Sequence, residues 1–103
     1  MTVVAAGGTD DGGLGTSASR IMDSLRLADS GAGVLVLPDL GSAVLTVRAL
    51  LADPPDDMPS GNVTLADAPF VEGAVAATVA AAAGADLKTV AAAAEEAWHA
   101  RKL

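Results

Sequence analysis

The stretch VLVLPDLGSAVL, residues 34–45, limits what this chain can fold into more than any other. Val34, Leu35, Val36 and Leu37 form an unbroken apolar run, and Pro38 and Asp39 stop it. Gly41 and Ser42 then turn the chain into a second apolar segment with helical spacing, residues 43–51. An apolar run without alternation, a tight turn and a helix describe a strand buried on both faces, as in a parallel sheet. The turn after such a strand lies at the sheet's carboxyl edge, where ligands gather. Asp39 supplies that edge with a carboxylate. Gly41 lets a ligand approach the backbone closely, and Ser42 can cap the helix and help present N–H groups to an anion. Many strand-to-helix turns carry a small polar cap for structural reasons alone, so position by itself does not assign chemistry.

The remaining segments follow the same alternation. Residues 2–6, TVVAA, are a short β-branched run and read as a first strand, broken by Gly7 and Gly8. A glycine and aspartate cluster leads to Ile21, Met22, Leu25 and Ala28 at helical spacing, with Thr16 or Ser17 as N-cap and Gly31 near the end. Residues 53–61 form a proline-rich loop, and residues 62–66 a third strand that ends at Asp67, Ala68 and Pro69. Glu72 opens an alanine-rich helix that stops at Gly84. Asp86 caps a last helix with Leu87, Val90, Ala91, Ala94 and Trp98 on one face, and Arg101 and Lys102 suit its C-terminal dipole. The order strand, helix, strand, helix, strand, helix, helix predicts an open, mainly parallel α/β sheet flanked by helices. No repeat or linker divides the 103 residues, so a single domain is expected.

Composition narrows the function classes. A net charge of −7 disfavours nucleic acid and anionic membranes as partners. Without cysteine there is no disulfide or thiolate metal site. The N-terminus lacks a signal-peptide pattern, and the longest uncharged apolar run, residues 73–85, falls short of the roughly 20 residues of a membrane span. A cytoplasmic protein with no membrane partner is the expectation. Half the residues are apolar, but they are mostly Ala, Val and Leu, with one Phe and one Trp. Small side chains bury little area each, so thin stability is expected.

Few residues offer chemistry. The glycine cluster, residues 7–17, could cradle phosphate before a helix, but it lacks the lysine of a Walker loop and fits the dinucleotide fingerprint poorly. A flexible surface loop explains it equally well. Asp10 and Asp11 are neighbouring exposed aspartates, a poor metal site, and no metal or cofactor is expected. His99, the only histidine, sits where a cation complements a helix dipole. Trp98 reads as the anchor of the last helix rather than a ligand platform. The alanine-rich helix reads as a buried core helix more readily than as a partner surface.

Three stretches, GGTDDGGLGTS, VLVLPDLGSAVLT and ADAPFVEGAVAATVAAAAGADL, together resemble the phosphotransferase subunit of phosphoenolpyruvate-dependent dihydroxyacetone kinase, in its mannose-type IIA-like domain. The resemblance covers nearly the whole chain in order. It implies a phosphocarrier of the sugar phosphotransferase system. The phosphocarrier HPr would pass phosphate to a histidine of this subunit, which would pass it to ADP on the nucleotide-binding subunit of the kinase. It also implies a homodimer. By resemblance Asp39 orients the acceptor imidazole, Gly41 and Ser42 line the phosphate pocket, and Gly15 and Thr16 close its rim.

One departure stands out. The family's acceptor histidine lies at the end of a strand that precedes the stretch matching residues 2–6, and His99 does not match that position. The expectation is a single incomplete mannose-type IIA-like domain over residues 1–103, without the N-terminal strand and helix that carry the acceptor, and inactive alone as a phosphate carrier. Two apolar strands would then lack a shared neighbour, giving a weakly stable or self-associating protein. A non-catalytic module that docks the kinase subunit is the alternative, and a phosphate or nucleotide binder built on the glycine loop is a third reading.

Overall fold

A computed structural model of the chain describes residues 1–59 and 62–103. Its centre is a two-stranded parallel sheet of β1 (Val34–Val36) and β2 (Val63–Leu65). Val34 pairs with Val63, Leu35 with Thr64 and Val36 with Leu65. Bonds from the Val34 N–H to the Asn62 carbonyl, 2.7 Å, and from the Ala66 N–H to the Val36 carbonyl, 2.9 Å, extend the pairing at both ends. Four helices surround it: α1 (Ala18–Ala28), α2 (Gly41–Ala52), α3 (Phe70–Ala82) and α4 (Leu87–Glu96), the last continued by a 3-10 turn, Ala97–His99.

Side-chain alternation along β1 divides the interior in two. Val34 and Val36 face α1 and α2 and pack with Ile21, Met22, Leu25 and Val47. Leu35 and Leu37 face α3 and α4 and pack beside Ala66, Ala68, Ala77, Val90 and Ala94. Successive residues of a strand point to opposite faces, so covering both faces requires the unalternated VLVL run. The parallel α/β class read from the sequence is the class observed.

Several details differ from the sequence reading. Residues 2–6 form no strand. The nearest pairing is an isolated parallel bridge between Gly8 and Thr16, and Val3 is exposed. An extended segment gains backbone hydrogen bonds only from a neighbour; residues 5–7 instead line an open cleft with Ser19, Arg20, Asp23 and Ser24, the polar side of α1. Ser42 does not cap α2. The N-cap is Leu40, whose side chain makes no capping bond, and Ser42 is the second helical residue. α3 starts at Phe70, before Glu72, after the N-cap Pro69. Of the two residues read as possible caps of α1, Thr16 and Ser17, it is Ser17 that caps it, and Asp86 caps α4 as read, through bonds accepted from the Arg20 and Thr89 N–H groups. Of the proline-rich loop, Ser60 and Gly61 lie outside the described residues.

The α3–α4 side is close-packed because its residues are small. A Cβ on Gly73 would lie 3.0 Å from the Ala68 Cβ and 3.4 Å from both the Ala94 carbonyl oxygen and the Leu37 Cδ2. Trp98 donates its indole N–H to the Asp67 carbonyl at 2.9 Å, tying the end of the last helix to the chain beyond β2, although its ring is 58% exposed. The anchoring role read for Trp98 therefore rests on this hydrogen bond more than on burial.

Gly33 enters β1 with φ +109°, and a Cβ there would lie 2.7 Å from the Leu87 Cδ2 and 3.2 Å from the Asn62 carbonyl oxygen. Gly31 also has a positive φ, +93°, but open space around it. Gly33→Ala should cost about 1–3 kcal/mol, and more than Gly31→Ala, which meets backbone strain alone. Urea unfolding of both variants tests this, and equal losses would contradict it.

Candidate functional site at the carboxyl edge of the sheet

The two parallel strands end on the same edge. β1 continues through Pro38 and the exposed Asp39 into α2, and β2 continues through Ala66 and Asp67 toward α3. The N-terminus of α2 opens onto this edge. The Leu40 carbonyl accepts from the Ala43 N–H at 3.1 Å and the Val44 N–H at 3.3 Å. Gly41 and Ser42, as the first two helical residues, have no intrahelical acceptor for their N–H groups. A Cβ added to Gly41 would meet nothing within 4 Å, so the approach to this helix end is open.

Thr16 reaches the same place from the other side. Its Oγ1 lies 2.7 Å from the Ser42 Oγ, across 26 residues of sequence. Because Ser17 is the N-cap of α1, the Thr16 hydroxyl is free for this contact. The bridge to Gly8 fixes the Thr16 backbone. Gly15, with φ +137°, allows the tight approach just before it, where a Cβ would come within 2.9 Å of the Thr9 Cγ2. The structure thus joins Thr16 directly to Ser42, with Gly41 and Gly15 as their chain neighbours. Asp39 stands in the bend leading into α2, with no side-chain hydrogen bond among the described residues.

The glycine loop is not an open phosphate cradle. The Thr9 N–H donates to the Gly13 carbonyl, and the Gly12 N–H to the Thr9 carbonyl, each at 3.0 Å. The Gly13 N–H donates to the Thr9 Oγ1 and to the Asp11 carboxylate at 3.0 and 3.1 Å, and Thr9 also donates its hydroxyl to Asp11. A carboxylate already occupies the donors that an anion would need, which weighs against a nucleotide-binding loop. Asp10 accepts from Ser17 and, at 3.0 Å, from the Ser19 Oγ, so it anchors the start of α1. That role escaped sequence reading, although two serines at the opening of a helix beside an upstream aspartate were its signal. Among the described residues, no three His, Cys, Asp or Glu side chains are placed to hold a metal. His99 ends the 3-10 turn, exposed, beside the anchored Trp98.

Orphan N–H groups at a helix start, hydroxyls beside them and a carboxylate at the entrance make an arrangement suited to a phosphoryl group next to a nitrogen base. The helix end favours negative charge, and a carboxylate can hold an imidazole in one tautomer. The comparisons with known proteins agree in class. Residues 1–91 match the EIIA-man family, described as the PTS system fructose IIA component, and the chain belongs to that family.

More particular similarity is to phosphoryl donor subunits, DhaM, of PEP-dependent dihydroxyacetone kinases. The chain is 44% identical over 88 residues to that of Pantoea ananatis and 38% identical over 90 residues to that of Escherichia coli. These alignments take in 84% and 85% of this chain but only 18% and 19% of those proteins. A phosphoryl donor subunit of dihydroxyacetone kinase 2 from Listeria innocua is 36% identical over 77 residues, 75% of this chain and 61% of that one. The crystal structure of EF1359, a protein of unknown function, superposes with a TM-score of 0.77 at 38% identity, over 93% of this chain and 73% of that one.

The Asp10 carboxyl is held below the usual carboxylate range, chiefly by the Ser17 hydroxyl and then by that of Ser19. Asp86 is lowered by its side-chain and backbone bonds to Thr89. A carboxyl whose folded pKa is depressed contributes its full stability above its unfolded value, about 3.9, and loses that contribution as pH falls through the lower folded value. The helical circular dichroism signal should therefore begin to decline as pH falls below about 4. Asp10→Asn, which cannot titrate, should show a smaller change over this range, whereas identical profiles would contradict the assignment.

Proposed function

We propose that this chain acts in the phosphotransferase system as the phosphocarrier domain of a dihydroxyacetone kinase, with its chemistry at the N-terminus of α2. The observation that carries this reading is the contact of Thr16 with Ser42 beside the unpaired N–H groups of Gly41 and Ser42. Family membership and the DhaM relatives support it. In this reading phospho-HPr is the donor, and ADP on the nucleotide-binding subunit of the kinase is the acceptor. The phosphorus–nitrogen bond to one imidazole breaks as a bond to the next acceptor forms. Asp39 orients the accepting imidazole. The Gly41 and Ser42 N–H groups and the Ser42 hydroxyl receive the phosphoryl oxygens. Gly15 and Thr16 form the rim. His99 does not match the acceptor's place in the family pattern, so the reading assigns no acceptor within residues 1–103. The reading places the protein in the cytoplasm, as a homodimer.

Joining an N-terminal strand and helix bearing the acceptor histidine ahead of Met1 tests it. The extended protein should take labelled phosphate from phospho-HPr, while residues 1–103 alone take none. Ser42→Ala in the extended protein should slow transfer on the order of a hundredfold. An extended protein that folds yet takes no phosphate ends the phosphocarrier reading. If residues 1–103 alone are captured by the kinase subunit without any phosphate donor, the docking-module alternative gains instead.

A further inference from the structure

One carboxylate ties the glycine-rich loop to the helix that follows it. Five of the nine residues from Gly7 to Gly15 are glycine, and Gly8, Gly12 and Gly15 have positive φ, so the backbone of the loop has many conformations open to it. Asp11 bonds within the loop, to Thr9 and Gly13. Asp10 instead reaches α1, where its Oδ1 accepts from the hydroxyls of both Ser17 and Ser19. Because Ser17 directs its hydroxyl proton to Asp10, its oxygen is left to accept the Arg20 N–H at 3.2 Å as the cap of α1. Thr16 sits between this fixed cap and the Gly8 bridge. Its hydroxyl lies 2.7 Å from that of Ser42, so one of their two protons lies between them and the other is free for a ligand. A helical serine or threonine without such a partner can turn back to the carbonyl four residues earlier, as Thr46 does to the Ser42 carbonyl at 2.8 Å.

We infer that Asp10 is a positioning residue for phosphoryl transfer: by gathering the Ser17 and Ser19 hydroxyls it fixes Thr16, and Thr16 keeps the Ser42 hydroxyl turned to the edge of the sheet instead of back along α2. Asp10 acts through Thr16 and needs no contact with the phosphoryl group. Its bonds are exposed and add modestly to stability, but they decide where a hydroxyl points. Misplacing a group that meets the transition state by about 1 Å can cost about a hundredfold in rate. The inference rests on the phosphocarrier reading above and adds to it a residue that lies outside the rim. Asp86 is a matched contrast. It too is an exposed aspartate at the start of a helix, accepting from the Thr89 N–H at 2.9 Å. But α4 begins at the opposite edge, with Leu87 beside Gly33 and Asn62 at the amino ends of the strands.

Single-turnover transfer from phospho-HPr to the extended protein tests it. Asp10→Ala should lower the maximal rate on the order of tenfold to a hundredfold and leave the half-saturating phospho-HPr concentration unchanged. Asp10→Asn, whose amide oxygen can still accept from both serines, should recover much of the rate, and Asp86→Asn should match wild type. In a Thr16→Val background Asp10→Ala should slow transfer no further, because its effect runs through the hydroxyl already removed. Additive losses, or Asp10→Ala at the wild-type rate, would overturn the inference and leave the phosphocarrier reading standing. So would a raised half-saturating concentration at an unchanged maximal rate, which would make Asp10 a docking residue. An extended wild type that folds yet takes no phosphate ends the phosphocarrier reading and the inference with it. If Asp10→Ala loses its helical signal, Asp10→Ser, too short to bridge both serines, takes its place with the same outcomes.

Discussion

The parallel ladder between Val34–Val36 and Val63–Leu65 is the constraint on which the rest depends. It is only three residues long on each side, yet it does two things at once. Alternation along β1 sends valines to one face and leucines to the other, so a single strand nucleates both halves of the interior. Because the strands are parallel, their carboxyl ends share one edge, and the chain must cross back over the sheet as a helix before it can re-enter. That places the α2 N-terminus at the edge by topology, before any side chain there is considered.

The two halves of the interior are built from different material. Around α1 and α2 the buried side chains are Ile21, Met22, Leu25, Val34 and Val47, while on the other face four of the five named residues are alanines and the fifth is Val90. Alanine contributes little buried area per residue, so the second half gains from closeness rather than bulk. Gly73 against Ala68, Ala94 and Leu37 is where that closeness is greatest. The same economy of volume explains why the valines of α3 remain outside. A helix that approaches its neighbour through glycine and alanine has its β-branched residues on the opposite side.

Much of this was legible in the sequence, and the failures have physical causes. The VLVL run, its turn and the α2 pattern were readable because burial on both faces leaves no alternative to an unalternated strand. The Asp86 cap was readable, and the α1 cap to within Thr16 or Ser17, because capping is local, a side-chain oxygen meeting an N–H three residues on. Residues 2–6 have strand composition, but a strand is completed only by a neighbour, and composition says nothing about one. Ser42 was misread as a cap because a serine beside a glycine satisfies the local rule, whereas its hydroxyl is engaged by Thr16, a contact across 26 residues that no local pattern encodes. The burial of α3 was overestimated for a related reason. An Ala-Val helix looks the same in sequence whether one face is covered or two.

The candidate site shows how short-range and long-range effects divide the work. Orphan N–H groups come with any helix start, and a turn after a parallel strand will often carry a small residue. What sets this one apart is that the loop before α1 delivers a hydroxyl to it. That delivery depends on a chain of local bonds. Asp10 holds Ser17 and Ser19, Asp11 and Thr9 close the glycine loop, and the Gly8 bridge holds the Thr16 backbone. Two aspartates that could be taken for a cation site instead hold the loop closed and in place. The negative charge stays committed to hydroxyl and N–H donors within the loop. At the neighbouring helix end, the N–H donors of Gly41 and Ser42 have no partner among the described residues and stand open to an anion.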